Sequence, residues 1–153
     1  MSKRRISRDT PLAELTLRKY EKPSVEGREL VRKTCLSLGL LQPGDSRDVI
    51  VDVFRTLLES QEELTSVEVE RRVVRAREAA GLELLGIAPS NIRRQLLRLR
   101  DLFLVEKKGN YYRIAEGATL TELFEEKVES YLLGSTVKRV KNYLKAVDKE
   151  FNQ

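Results

Sequence analysis

The 153-residue chain contains no histidine and no tryptophan, and its single cysteine is Cys35. Without histidine and with one cysteine, the usual catalytic triads and zinc clusters cannot be assembled. The glycine patterns that cradle phosphates or present a nucleophilic serine are also missing. Acid pairs occur at Glu62-Glu63 and Glu125-Glu126, but such pairs on polar helix surfaces are usually solvated charge. We therefore expect no enzymatic activity and no bound cofactor or metal ion.

A single cysteine also excludes an internal disulfide. Cys35 lies among apolar residues of a predicted helix, which indicates a buried thiol and a reducing compartment. No apolar run approaches the roughly 20 residues that a membrane-spanning helix needs. The first five residues, MSKRR, lack the apolar block of a signal peptide. The sequence therefore predicts a cytoplasmic protein with no membrane partner.

The chain is rich in charged residues. Charged residues make up 35% of it, the formal net charge is +5 and the isoelectric point is near 9.4. The excess is local, because seven basic residues stand against two acidic ones between Ser90 and Ala115. This stretch alone accounts for the net charge, and a basic cluster of this kind favours a polyanionic partner.

The basic stretch begins with an amphipathic helix that starts near Pro89. Its apolar residues recur at helical spacing and predict one buried face: Ile92, Leu96, Leu99 and Phe103. The side chains expected away from that face are those that bond base edges and phosphates: Ser90, Asn91, Arg93, Arg94, Gln95 and Arg98. The helix is therefore a candidate recognition helix.

A β-hairpin is predicted directly after this helix. Two short runs, 104–108 and 111–114, flank Gly109-Asn110, a dipeptide typical of two-residue turns with positive φ at both positions. Strand alternation places Val105 and Ile114 inward. Three basic side chains are expected to point outward, where phosphates could meet them: Lys107, Lys108 and Arg113.

Two helices are predicted upstream of the basic stretch. The first is capped by Asp45 or Ser46 and carries a broad apolar stripe over residues 49–58. The second starts at a capping box of Thr65 and Glu68 and ends at Gly81. It is expected to bury Val69, Val73, Ala76 and Ala80. On its opposite side Arg71 and Arg75 are candidates for contacts to a nucleic-acid backbone.

Further helices are predicted towards both ends of the chain. A basic arm, a short helix from Pro11 to Pro23 and a second helix ending at Gly39 precede residue 45. After residue 116, one helix runs to Gly134 and another carries apolar residues at intervals of 3, 4, 3 and 4: Val137, Val140, Leu144, Val147 and Phe151. So narrow a seam predicts a helical hairpin that either forms a homodimer or folds back onto the body, and we favour the homodimer.

Together these elements predict a mainly α protein with a small β-hairpin. Three helices followed by a hairpin with a basic tip are typical of a winged helix-turn-helix. We expect a basic arm with N-terminal helices in residues 1–44, a winged-helix DNA-binding domain in 45–115 and a dimerising helical hairpin in 116–153. The segment 81–89 departs from this pattern, because it is longer than the turn of a standard helix-turn-helix.

Two parts of the sequence resemble known regulators. The run SNIRRQLLRLRDLFLVEKK at residues 90–108 resembles the recognition helix and wing of prokaryotic and archaeal winged-helix transcription regulators. Phe103 stands where glycine is common in them, so we expect the turn into the wing to be made differently. PLAELTLRKYEKP at 11–23 and CLSLGLLQPGDSRD at 35–48 resemble the small regulators of archaellum operons in euryarchaea. This resemblance implies a sequence-specific DNA binder that acts at an archaeal promoter and recruits the basal transcription machinery.

On this interpretation, the recognition helix reads or lies above bases through Asn91, Arg94 and Arg98, and the hairpin cations neutralise phosphates. Two alternatives stay open. Winged helices also serve as protein-interaction or scaffold subunits without specific DNA binding. Structured RNA could also bind the same cationic surface.

Overall fold

The computed structural model describes Leu15 and residues 17–151, and its elements alternate between helices and short strands. In chain order they are α1 (Gly27–Ser37), α2 (Val49–Glu59), β1 (Leu64–Thr65), α3 (Ser66–Ala79), α4 (Pro89–Asp101), β2 (Val105–Lys108), β3 (Tyr111–Ile114), a single helical turn (Ala115–Gly117), α5 (Leu120–Leu123), a π-helical segment (Phe124–Leu133) and α6 (Gly134–Phe151). The protein is therefore mainly helical with a small sheet, as the sequence predicts.

The N-terminal expectations are tested only in part. The basic arm and the start of the helix expected from Pro11 lie outside the described residues. Residues 17–26 are described and form no helix, so that part of the expectation is wrong. The next helix, α1, agrees with the prediction and ends at the predicted glycine, Gly39, with a φ of +73°.

The sheet has three antiparallel strands in the order β1-β3-β2. Lys108 pairs with Tyr111, so Gly109-Asn110 forms the two-residue turn of the predicted hairpin. Of the two turn residues, only Gly109 has a positive φ, of +58°, and the expectation of a positive φ at Asn110 is wrong. The third strand, β1, was not predicted because two residues are too few for a pattern. It pairs with β3 and ties the hairpin to the start of α3.

One hydrophobic core joins the helices to the sheet. It extends from Cys35 in α1 through Phe54 in α2 and Leu96 in α4 to Leu123 in α5. The core therefore crosses the boundaries near residues 44 and 116 that the sequence suggested. Cys35 is buried as predicted, and burial raises the pKa of its thiol to about 12.

The end of α4 shows how the chain turns into the hairpin. The Phe103 amide donates to the Arg100 carbonyl at 2.9 Å, and the Leu104 amide donates to the Leu99 carbonyl at 3.2 Å. Phe103 itself has a φ of +61°. These are the bonds and the left-handed residue of a Schellman cap, in which glycine is usual. The expectation of a different turn at Phe103 is therefore wrong, since the same turn is made with a strained phenylalanine.

A buried ion cluster joins α1, α2 and α3. Arg77 of α3 donates to Asp52 at 2.7 Å, to Asp48 at 3.1 Å and to the Glu83 carbonyl at 2.7 Å. Arg28, near the start of α1, approaches both carboxylates at 3.0 Å from the other side. The charge-assisted hydrogen bonds offset the cost of removing these groups from water.

This cluster corrects two predictions. The buried seam of α3 continues from Val69 and Val73 to Arg77, while Ala76 and Ala80 are exposed. An arginine is buried there because two carboxylates at the start of α2 bind it. The helix α2 is also not capped by Asp45 or Ser46: Asp48 holds the cap position, and its side chain makes no cap hydrogen bond but binds Arg28 and Arg77.

The predicted C-terminal helical hairpin is not formed. Gly134 has helical dihedral angles, with φ −58° and ψ −46°, and the helix continues through it from the π-helical segment into α6. A glycine inside a helix costs only about 1 kcal/mol relative to alanine, and no proline or left-handed residue follows to stop the helix. Leu123 belongs to the core and Val128 is buried, whereas α6 buries no residue.

Candidate functional site

The solvent side of α4 carries most of the exposed positive charge of the predicted recognition helix. The helix buries Ile92, Leu96 and Leu99 as predicted, whereas Phe103 lies beyond its end and is partly exposed. The exposed residues of α4 are Pro89, Ser90, Arg93, Arg94, Leu97, Arg100 and Asp101, and we name Ser90, Arg93, Arg94, Leu97 and Arg100 the cationic face. Their spacing of three and four residues places them along one stripe of the helix surface.

The guanidinium groups of the cationic face have no partner among the residues that the structure describes. The side chains of Arg93, Arg94 and Arg100 make no ion pair or hydrogen bond with any other residue that the structure describes. Most other described arginines are paired, as Arg28 and Arg77 are in the buried cluster. The unpaired guanidiniums therefore project a positive field that this part of the chain does not neutralise.

A chain of side-chain hydrogen bonds runs along a second side of α4. The side-chain amide of Asn91 donates to the Gly86 carbonyl at 2.7 Å. The Gln95 side chain donates to that of Asn91 at 3.1 Å, and Arg98 donates to the Gln95 side chain at 2.9 Å. Arg98 also donates to the Leu40 carbonyl at 2.7 Å. We call Asn91, Gln95 and Arg98 the polar ladder, and it joins the segment before α4 to the segment after α1.

The polar ladder corrects the prediction that these three side chains face a nucleic acid. Gln95 is buried and Asn91 and Arg98 are half-buried, because the residues after α1 cover this side of α4. Leu40 and Leu41 belong to the core there, and the Leu40 carbonyl accepts a hydrogen bond from Arg98. The apolar pair Leu40-Leu41 behind the cap glycine was the signal in the sequence that this segment packs inward.

The hairpin presents two exposed lysines near its tip, as predicted. Lys107 shares a face of the hairpin with Tyr112, and its ammonium lies 5.5 Å from the centre of that ring. Lys108 lies on the other face, opposite the exposed ring of Tyr111. Both lysines remain accessible to a ligand, and the tyrosine restricts the position of one of them.

Arg113, predicted as a third free cation of the hairpin, is paired. It binds Glu106 directly across the hairpin and lies 3.7 Å from Glu63. Burial of Glu106 is the largest single influence and works against its ionisation, but the hydrogen bonds from Arg113 and the Glu116 backbone, together with the charges of Arg113 and Lys108, outweigh burial and lower the pKa of the carboxyl. Since the two cross-strand charges cancel, Arg113 is not a free phosphate ligand.

Of the two α3 arginines that the sequence suggested, only Arg75 lacks an ion pair among the described residues. Thr65 accepts a hydrogen bond from the Glu68 amide at 3.2 Å, which is half of the predicted capping box. The Glu68 carboxylate instead binds Arg71 at 2.7 Å and Arg72 at 3.0 Å, and these bonds lower its pKa. Arg75 is exposed and has no such partner among the described residues.

Seven exposed side chains of the candidate site have a donor group with no hydrogen-bond or ion-pair partner in the described part of the chain: Ser90, Arg93, Arg94, Arg100, Lys107, Lys108 and Arg75. The sequence interpretation missed Arg100, because its neighbour Asp101 suggested ordinary solvated charge. Guanidinium forks can donate two parallel hydrogen bonds to a phosphate or a guanine edge, and the exposed Leu97 offers an apolar contact between them. Within residues 17–151 we find no acid or cysteine cluster able to hold a metal ion.

Comparison with protein-family models finds no match, and neither the curated proteins nor the solved structures include one that is significantly similar. In the described part of the chain, no helix is both long and apolar enough to span a membrane. The geometry of the site is therefore the basis for a functional proposal.

Proposed function

We propose that this chain is a winged helix-turn-helix protein that binds double-stranded DNA and regulates transcription. The order α2-β1-α3-α4-β2-β3 supports this, because a three-helix unit closed by a β-hairpin is how such proteins present a recognition helix beside a wing. In this proposal α4 lies in the major groove and the β2-β3 hairpin contacts the adjacent backbone.

The observation that carries the proposal is the cationic face. Its three arginines are unpaired within the described chain and lie on one stripe of a helix held rigidly by the core. Surface arginines elsewhere on the same protein are largely neutralised by acids, as Arg71 and Arg113 are. A row of uncompensated donors on a preorganised helix is suited to a polyanion with base edges at its surface.

In this proposal the arginines of α4 and the lysines of the hairpin have different roles. Arg93 and Arg94, in the first half of α4, read base edges, since the N-terminal part of a recognition helix contacts bases. Lys107 and Lys108 neutralise phosphates and set affinity without sequence preference. A lost bidentate arginine contact costs about 1–3 kcal/mol at one base pair, whereas a lost lysine weakens all sequences alike.

The biological setting follows from the two segments that resemble euryarchaeal archaellum regulators. On that basis we propose a cytoplasmic regulator that acts at an archaeal promoter, activates archaellum genes and contacts the basal transcription machinery. Selection of genomic fragments by the purified protein tests this directly. Enrichment of promoter regions that contain one common motif is the expected result.

Substitution of Arg94 then tests the recognition helix. Arg94→Ala should weaken binding to the selected duplex by roughly tenfold or more and binding to a scrambled duplex by much less, which lowers the specificity ratio. Arg55→Ala is the matched control, because it removes the same charge from the exposed side of α2, where Arg55 binds Glu59. Fluorescence anisotropy at several salt concentrations measures both affinities.

Three results would contradict the proposal. Equal losses for Arg94→Ala and Arg55→Ala on both duplexes would show that the charge matters but α4 does not read DNA. Weak binding to all genomic fragments would favour the protein-interaction alternative, and a preference for structured RNA over every duplex would favour an RNA partner.

A further inference from the structure

Helix α6 carries an apolar seam that no other described part of the chain covers. The five seam residues are between 49% and 74% exposed: Val137, Val140, Leu144, Val147 and Phe151. Upstream of α6, Leu123 belongs to the core and Val128 is buried. The alternative of a fold back onto the body is therefore not realised in the described residues.

The seam has the layout of a coiled coil. Val137, Leu144 and Phe151 occupy one class of core position, and Val140 and Val147 occupy the other. One flank carries Lys141 and Asp148, seven residues apart. The opposite flank carries Thr136, Tyr143 and Glu150. Core and flank positions together constrain which partner fits and in which orientation.

We propose that α6 pairs with α6 of a second copy of this chain in an antiparallel coiled coil whose two-fold axis passes beside Asn142. A second copy is the occupant that the seam itself specifies, because its core layers and its flanking charges are self-complementary. The homodimer does not depend on the proposed function, since nothing in the seam involves the cationic face.

The core layers match in one antiparallel register. With residue 142 at the axis, Val137 of one copy meets Val147 of the other, and Val140 meets Leu144. The same register places Leu133 of the π-helical segment against Phe151, so the largest seam residue has an apolar partner at the end of the pair. Every apolar layer is thus filled, and symmetry forms each of them twice.

The flanking charges distinguish the two orientations. In the antiparallel register Lys141 of each copy lies beside Asp148 of the other, and Tyr143 faces its own copy across the axis. In a parallel pair Lys141 would lie beside Thr136, and Asp148 beside Tyr143, so no opposite charges would meet. Flanking ion pairs set the orientation of coiled coils, and here they favour the antiparallel one.

The first test is the oligomeric state of the full chain without DNA. Light scattering after size exclusion should give a dimer for the wild type, whereas Leu144→Asp should give a monomer at the same concentration. Because Leu144 is 58% exposed and lies outside the core, the unfolding midpoint of the body should stay unchanged in the variant. A wild-type monomer at every concentration tested would overturn the proposal.

A charge exchange tests the orientation. Lys141→Asp and Asp148→Lys should each weaken the dimer by roughly threefold to tenfold, because symmetry replaces two attractions with two repulsions. The double variant keeps the net charge of the chain and should restore the wild-type dimerisation constant. Independent effects of the two substitutions, without restoration in the double variant, would contradict the antiparallel register.

Crosslinking gives a second measure of the register. Two Tyr143→Cys copies lie about 3 Å apart along the axis of an antiparallel pair, whereas two Val137→Cys copies lie about 15 Å apart. A short bis-maleimide should therefore link Tyr143→Cys and spare Val137→Cys. The wild type is the background control, since Cys35 is buried. Efficient linking of Val137→Cys instead would show a parallel pair and overturn the proposal.

Discussion

Gly86 shows how a single residue fixes the start of the candidate recognition helix. It has a φ of +72°, and its carbonyl accepts a hydrogen bond from the side-chain amide of Asn91, the first residue of the polar ladder. A Cβ atom added there would lie 3.0 Å from the Asn91 amide nitrogen and 3.2 Å from a methyl group of Val49. Position 86 therefore favours glycine for two reasons, its left-handed backbone and the close approach of its neighbours.

We predict that Gly86→Ala destabilises the protein more than Gly81→Ala. Gly81 has a similar φ of +68°, but nothing lies within 4 Å of a Cβ atom added there. Both variants bear the backbone cost of about 1 kcal/mol, and Gly86→Ala should lose about 1–2 kcal/mol more through crowding. Urea unfolding of the two variants measures the difference, and equal midpoints would show that the neighbours of Gly86 yield freely.

Residue-level patterns in the sequence predicted the buried side of α4 but not all of its polar side. Ile92, Leu96 and Leu99 could be assigned because helical spacing alone decides which side is apolar. The role of Arg98 could not be assigned this way, since its partner is a carbonyl 58 residues away in sequence. The position of a polar side chain at the edge of a core depends on its tertiary partners. The spacing of residues along a helix does not reveal which partners these are.

At the scale of elements, the buried ion cluster links α1, α2 and α3 through ion pairs and hydrogen bonds. Asp52 and Arg77 are both almost fully buried, and each is satisfied by hydrogen bonds from more than one direction. Removal of one partner from such a cluster leaves an uncompensated charge in a poorly solvated site. The orientation of α3 against α2 should therefore depend on Arg77.

We predict that Arg77→Ala lowers the free energy of unfolding by about 3 kcal/mol, while Arg72→Ala on the same helix lowers it by less than about 1 kcal/mol. The control also removes an ion-paired arginine, but the pair that Arg72 makes with Glu68 is partly exposed. Chemical denaturation monitored by circular dichroism gives both values. Similar losses for the two variants would indicate that burial adds nothing to the Arg77 interactions.

The same cluster predicts a loss of stability in acid. Burial of Asp48 opposes its ionisation and is the largest single influence, yet the hydrogen bonds from Arg28 and Arg77 outweigh it and lower its pKa below the usual 3.8. Asp48 therefore adds stability above its unfolded pKa, and this is lost as the pH falls through the lowered folded value. Asp48→Asn should flatten the pH dependence of unfolding below about pH 4. An unchanged slope would contradict a contribution of Asp48 to the pH dependence of unfolding.

Elements with their own terminal signals were predictable, and those defined by context were not. The ends of α1 and α3 at Gly39 and Gly81 were marked by glycines that the structure finds in left-handed geometry. Gly134 carried the same mark but is helical, because a glycine permits a helix stop without requiring one. The short strand β1 exists only through its pairing with β3, which no local pattern could reveal.

At the scale of the whole molecule, the two proposals together define the geometry of DNA recognition. An antiparallel α6 pair relates the two bodies by a two-fold axis and places them at opposite ends of the helix pair. A dimer with this symmetry matches DNA whose half-sites form an inverted repeat. The seam in the sequence left a homodimer and a fold back onto the body both open, and the orientation of a dimer became arguable only once α6 was seen to be continuous and uncovered among the described residues.

We predict that loss of the dimer weakens binding to an inverted repeat far more than binding to a single half-site. Once one body of the dimer is bound, the second meets its half-site at a high effective concentration, and Leu144→Asp removes this gain without touching α4. The variant should therefore lose roughly a hundredfold in affinity for the inverted repeat and almost nothing for an isolated half-site. Arg94→Ala should weaken both duplexes instead. Anisotropy titrations of the two variants against the two duplexes separate these effects, and an equal loss for Leu144→Asp on both would show that α6 does not couple two bodies on DNA.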